Sequence, residues 1–122
     1  MKPKILVVDD DESNRLLLCL TLEDHGFEAL AASSCDEALA LIADASPRAV
    51  LTDHGLSGKD GIDLCLAIKN DPKLQSIPVI ITSGRIDPEI IETAMEAGAA
   101  NWIAKPFTEE EIISALRDAI GS

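Results

Sequence analysis

Aromatic residues are nearly missing from this 122-residue chain: Phe27, Trp102 and Phe107 make up 2% of it, and tyrosine is absent. That argues against a surface that stacks unpaired bases on aromatic rings. Basic residues are scarce too, with 10 Lys and Arg against 22 Asp and Glu, a formal net charge of −12. Neutralising a phosphate backbone takes clustered Lys and Arg, so the charge balance also argues against direct nucleic-acid binding. The longest apolar run, Ala38 to Ala43, is six residues, whereas a membrane span needs about 20. No charged-then-apolar leader precedes the first strand-like segment, and no secretion signal is expected. Cysteine is limited to Cys19, Cys35 and Cys65, far apart and odd in number. This fits neither a disulfide framework nor a zinc site, and reduced, mostly buried thiols of a cytoplasmic protein are expected.

What is present is a core. Apolar residues are 47% of the chain, which rules out wholesale disorder, and the length suits one domain over residues 1–122. Strand and helix patterns alternate five times. Ile5 to Val8 is a short apolar run suited to a strand buried on both faces. A helix from about Glu12 ends at Gly26, and Phe27 to Ala32 reads as a weak second strand. Ser34 with Glu37 predicts a capping box for a helix through about Ala45. Ala49 to Thr52 is a third strand with Asp53 at its end, residues 53–61 are loop, and Ile62 to Asn70 is helical. Val79 to Thr82 is the fourth strand, and Asp87 and Pro88 open a helix stopped by Gly98. Asn101 to Ala104 is the fifth strand. Thr108 and Glu111 predict a capping box for the last helix, with Phe107 and Ile112 placed for a hydrophobic staple. Such alternation implies a parallel sheet with right-handed crossovers and helices on both faces.

In sheets of this kind ligands bind beyond the C-terminal strand ends. Those ends carry Asp9-Asp10-Asp11, Asp53, Thr82-Ser83-Gly84 and Lys105-Pro106. Crowded carboxylates repel one another, and a hard divalent cation relieves them. Mg²⁺ suits, because it takes few protein oxygens and leaves positions for phosphoryl oxygens. Lys105 adds a second positive charge, Ser83 a hydroxyl donor, and one carboxylate can serve as nucleophile toward phosphorus.

With these residues in place, the chain resembles the response-regulator receiver domains of two-component signalling. The matching motifs are ILVVDD at 5–10, Asp53 with the SGKDG loop at 57–61, PVIITSG at 78–84 and WIAKPF at 102–107. The spacings of 30 residues from Asp53 to Ser83 and 22 from Ser83 to Lys105 agree with that family. The resemblance implies a single flavodoxin-like (βα)5 domain that acts as a phosphoacceptor switch, not a turnover enzyme. It implies Asp53 as the residue phosphorylated from a phosphohistidine of a sensor histidine kinase or phosphotransfer protein. Asp9, Asp10, Asp53 and the carbonyl of Gly55 are then Mg²⁺ ligands, and Lys105 binds the phosphoryl group, with a cis bond to Pro106. Ser83 and Trp102 stand at the family's two switch positions. Ser57 replaces the usual proline, Gly55 and Arg85 occupy the places that steer attacking water, and Trp102 is bulkier than the usual Tyr or Phe.

Competing readings exist for the same residues. Asp9 to Ser13 also matches the start of haloacid-dehalogenase-like phosphohydrolases, with Asp9 as nucleophile and Asp11 as acid/base, although no acidic pair follows Lys105. A pseudo-receiver that only binds protein is a third class. Asp9 to Asp11 could instead cap the first helix, and Ser83 could bond only to backbone. His25 reads as a structural helix-end residue, and His54 as a neighbour able to tune access to Asp53. The first helix carries Leu16, Leu17, Leu18, Leu20 and Leu22, a wider arc than one buried face needs, so exposed leucine is expected there as a docking surface for a helical phosphotransfer partner. A second partner surface is acidic, formed by Asp87, Glu89, Glu92, Glu96 and Glu109 to Glu111. It would serve an output reached through another protein or domain.

Overall fold

The structure, a computed structural model, describes residues 2–121; Met1 and Ser122 of the expected domain lie outside it. Ten elements alternate: β1 (Lys4–Val8), α1 (Glu12–Asp24), β2 (Glu28–Ala32), α2 (Cys35–Ala45), β3 (Ala49–Asp53), α3 (Gly61–Lys69), β4 (Val79–Ser83), α4 (Pro88–Glu96), β5 (Asn101–Ala104) and α5 (Glu109–Ile120). The five strands pair in parallel in the order β2-β1-β3-β4-β5. The chain leaves β1 toward β2, then crosses back to β3, so the order reverses between β1 and β3. A crevice opens beyond the strand ends at such a reversal.

Alternation along the strands divides the core between two faces. Leu6 and Val8 of β1 pack with Ile42 of α2, Leu64 and Ile68 of α3 and Ala94 of α4. Ile5 and Val7 point the other way, to Leu22 of α1 and to Ile112, Ile113 and Leu116 of α5. Both faces are covered, which is why the central strands are nearly continuous Val, Ile and Leu. Each fully buried aliphatic side chain of this kind contributes about 1.5–3 kcal/mol. Among the described residues no helix is long and apolar enough to cross a membrane.

Helix ends follow short-range hydrogen bonding. Asp11, Ser34, Asp60, Asp87 and Thr108 are the N-caps. Thr108 and Glu111 form the expected reciprocal box, and Phe107 and Ile112 belong to one core cluster. The expected box on α2 is half made. Ser34 Oγ accepts from Glu37 N at 3.1 Å, but Glu37 reaches back to Ser33 N, one residue earlier. A full box that the sequence reading passed over lies at α3, between Asp60 and Asp63. His25 closes α1, and its Nδ1 donates to Thr21 O at 2.9 Å, a helix-end role away from the strand-end crevice. Gly26 takes the left-handed position that follows, at φ +89°.

All three cysteines are free; Cys35 and Cys65 are buried and Cys19 is half-buried. Burial pushes each thiol pKa up, away from the reactive thiolate.

One close approach sets the floor of the crevice. Gly61, the first residue of α3, donates its N–H to His54 O at 2.9 Å. A Cβ there would stand 2.6 Å from the Asp53 carbonyl oxygen. Gly61→Ala gains about 1 kcal/mol of helix propensity but forces the Asp53 backbone to shift, a strain of about 1–3 kcal/mol. The expected net result is a lower urea midpoint, measured by circular dichroism.

Candidate functional site

The topology brings the predicted residues to one edge. Val8 pairs with Thr52, so Asp9 and Asp10 leave β1 beside the end of β3, where Asp53 sits. Asp53 lies opposite Thr82 across the β3–β4 ladder, and Ser83 lies opposite Ala104. The Lys105 N–H donates to Ser83 O at 2.8 Å, and the Lys105–Pro106 bond is cis, as the resemblance implied.

Asp9, Asp10 and Asp53 each bring one carboxylate oxygen within 4.8 Å of the others. Lys105 Nζ donates to Asp53 Oδ1 at 2.8 Å, bridging 52 positions of sequence. One ammonium thus faces three carboxylates. Asp9 is only 3% exposed. Its pKa is raised, first by burial and further by Asp53 and Asp10, against the lowering effects of the Asp11 N–H and Lys105.

The acidic run divides its labour. Asp11 turns away and caps α1 through Asn14 N at 2.8 Å, so capping occupies that acid and not the other two. This also removes Asp11 from the acid/base place that a phosphohydrolase reading gives it. Asp9 Oδ1 accepts from Asp11 N at 2.9 Å, and Arg15 reaches the Asp9 carbonyl at 2.7 Å. Asp10 Oδ2 accepts from Ser57 Oγ at 2.9 Å. Ser83 is 4% exposed, and its Oγ accepts from Arg85 N at 3.0 Å, the backbone bond weighed from sequence. A Cβ on Gly55 would lie 3.8 Å from Asp53 Oδ2, so glycine leaves that oxygen open to approach.

Two contacts escaped the sequence reading. The Ser57–Asp10 bond spans 47 positions, and only the departure from proline marked Ser57 out. The second joins His54 to Trp102, with ring centroids 5.3 Å apart and planes tilted by 50°. Trp102 is half-buried against the α2–α4 face, and its Nε1 is buried with no hydrogen-bond partner among the described residues. His54 Nε2 is also 3.7 Å from Asp60 Oδ2. No local pattern announces either contact, because each depends on loop conformation.

Beside the acids, a groove of about 570 Å³ runs between α1 and α5, lined by Leu17, Leu18, Phe107 and Ile112 and reaching Asp9 and Lys105. Leu16, Leu17 and Leu20 are more than half exposed, as the wide leucine arc predicts.

A profile of the response regulator receiver domain matches residues 5–117. The chain belongs to this family, whose members are the phosphoacceptor switches of two-component signalling and receive phosphoryl groups from histidine kinases. It is 34% identical over 113 residues to the phosphate regulon transcriptional regulatory protein PhoB of Pseudomonas aeruginosa, covering 93% of this chain and 49% of that protein. It is 32% identical over 117 residues to the DNA-binding response regulator MtrA of Mycobacterium tuberculosis, covering 96% of this chain and 50% of that protein. The chain therefore spans about half the length of these relatives. The structure superposes on the chemotaxis response regulator CheY4 of Vibrio cholerae with a TM-score of 0.90 at 27% identity, over 98% of this chain and 99% of that one. This confirms the five-stranded parallel, flavodoxin-like architecture, and the comparisons lend no support to the phosphohydrolase or pseudo-receiver readings.

The raised pKa of Asp9 carries a sign. The folded state binds that proton more tightly than the unfolded chain, so ionised Asp9 is a penalty. The penalty is absent below the ordinary value of 3.8 and complete above the raised folded value. Asp9→Asn keeps an acceptor for Asp11 N while removing the charge. In chelator-treated protein it is expected to raise the urea midpoint at pH 7 and to leave it nearly unchanged at pH 3.

Proposed function

We propose that Asp53 is the phosphoacceptor of a Mg²⁺-dependent signalling switch. The observation that carries this reading is the Lys105–Asp53 ion pair set among two further carboxylates at the sheet's topological reversal. A carboxylate oxygen of Asp53 attacks the phosphorus of a phosphohistidine. The new O–P bond replaces the breaking P–N bond, and the imidazole leaves with a proton from water. Asp53 is 14% exposed on its side chain, enough for in-line approach past Gly55.

The donor set fits Mg²⁺: the cluster is all hard carboxylate oxygen, without thiol or imidazole. Asp9, Asp10 and Asp53, with the Gly55 carbonyl, would hold the ion, which when bound supplies positive charge to the transferring phosphoryl oxygens. Lys105 is placed to move from Asp53 Oδ1 to a phosphoryl oxygen. Ser83, freed from its bond to Arg85 N, would donate its hydroxyl there, and Trp102 would fill the space that Ser83 vacates. The equilibrium over residues 83–105 would shift accordingly. Self-phosphorylation from small donors and self-hydrolysis would both be slow.

The phosphodonor is a histidine kinase or phosphotransfer protein, and the apolar groove beside Asp9 and Lys105, rimmed by Leu16, Leu17 and Leu20, suits a helix of that partner. Dependence on such a donor places the domain in the cytoplasm. The output is a protein contact made through the exposed acidic face of α4 and α5, whose charge disfavours DNA.

Asp53→Asn is expected to abolish labelling by radioactive acetyl phosphate with Mg²⁺; robust labelling of that variant, or label found on Asp9, would refute the assignment. Leu17→Glu should cut phosphotransfer from a phosphohistidine donor about tenfold, the scale of one interface anchor, while acetyl phosphate labelling stays at the wild-type rate. An equal loss with both donors would remove the groove from the docking surface.

A further inference from the structure

The three acids share a feature beyond their closeness. In each, one carboxylate oxygen is held by a protein donor. Asp9 Oδ1 takes the Asp11 N–H at 2.9 Å, Asp10 Oδ2 the Ser57 hydroxyl at 2.9 Å, and Asp53 Oδ1 the Lys105 ammonium at 2.8 Å. Among the described residues these are the only donors on the three carboxylates. Each acid therefore keeps one oxygen without a protein donor and one that is oriented by its tie.

That distinction separates two abundant cations. Mg²⁺ takes single oxygens in near-octahedral geometry and keeps several waters. Ca²⁺ takes six to eight oxygens at longer distance and commonly draws both oxygens of one carboxylate. A carboxylate with one oxygen tied to a fixed donor turns less freely, and bringing both oxygens to one ion strains that bond.

The three ties differ in kind. The Asp11 N–H belongs to the backbone at the start of α1, and Asp9 is buried, so this acid has little room to turn. Lys105 pairs with the acceptor itself. Asp10 is the exposed member, and its only tie is a serine hydroxyl from the loop between β3 and α3. Asp10 is thus the acid able to swing into two-oxygen coordination, and Ser57 is the residue that restrains it.

We propose that Ser57 is a specificity-determining positioning residue, whose hydroxyl holds Asp10 to one-oxygen coordination and so sets the site for Mg²⁺ over Ca²⁺. The inference rests on the reading of Asp9, Asp10 and Asp53 as the metal site. Ser57 is itself exposed and touches no reacting atom, so its effect runs through Asp10 alone.

The test is calorimetric titration of the chelator-treated chain with MgCl2 and with CaCl2, using wild type, Ser57→Ala, Ser57→Thr and Asp10→Ala. Ser57→Ala should lower the ratio of Mg²⁺ to Ca²⁺ affinity about tenfold, the low end for losing a partner of a metal ligand, and Ser57→Thr should keep it. An unchanged ratio in Ser57→Ala, or an equal fall in Ser57→Thr, overturns the proposal while the metal site stands. Wild-type protein that binds neither ion, or Asp10→Ala that binds both as wild type does, overturns the metal site itself.

Discussion

Three carboxylates confined within 4.8 Å of one another are the constraint on which the rest of this structure depends. Each like-charged pair at that distance repels by roughly 1 kcal/mol in water and roughly 4 kcal/mol at an effective dielectric near 20. A flexible loop would relax by spreading. Here the acids sit at the ends of β1 and β3, neighbours in a parallel ladder whose side chains are buried on both faces. The sheet holds the charges where they would not stay unaided. The single Lys105 ammonium offsets only part of that charge. What remains is a standing demand for positive charge.

Legibility from sequence followed the range of the interactions. Ile5 to Val8, Ala49 to Thr52 and Val79 to Thr82 are strands because both sheet faces are covered, and continuous aliphatic runs report that directly. Asp53, Lys105 and Ser83 were found because a parallel sheet gathers its strand ends, so residues 52 positions apart could be placed together from order alone. Cap assignment was local and nearly complete. It missed the Asp60–Asp63 box because aspartate at the fourth position replaces the usual glutamate, and it overread α2, where Glu37 bonds to Ser33. The division of Asp9 and Asp10 from Asp11 came from the resemblance and not from the residues, since three identical side chains in a row differ only in the direction the backbone gives them. Ser57 to Asp10 and His54 to Trp102 were equally silent, each being made by a residue of the loop after β3 with no period behind it.

The charge of −12 now has a geography. Asp9, Asp10 and Asp53 form one local excess, and Asp11, Asp60, Asp63 and Glu111 are spent on helix N-termini, where the dipole favours them. Glu89, Glu92 and Glu96 are left on the outer surface of α4. The apolar groove between α1 and α5 lies on the opposite side of the sheet from α2, α3 and α4. A partner drawn to leucine and a partner drawn to the acids of α4 therefore meet different faces of the sheet.

Trp102 holds a position that only packing secures. Its Nε1 is buried with no acceptor among the described residues, an omission that costs about 1–3 kcal/mol. An indole in that state breaks no hydrogen bond when it turns and can gain one on reaching solvent. What seats it is contact with the core cluster and with the His54 ring. The indole ring is held by shape alone, where a tethered tryptophan would be held by shape and by a bond.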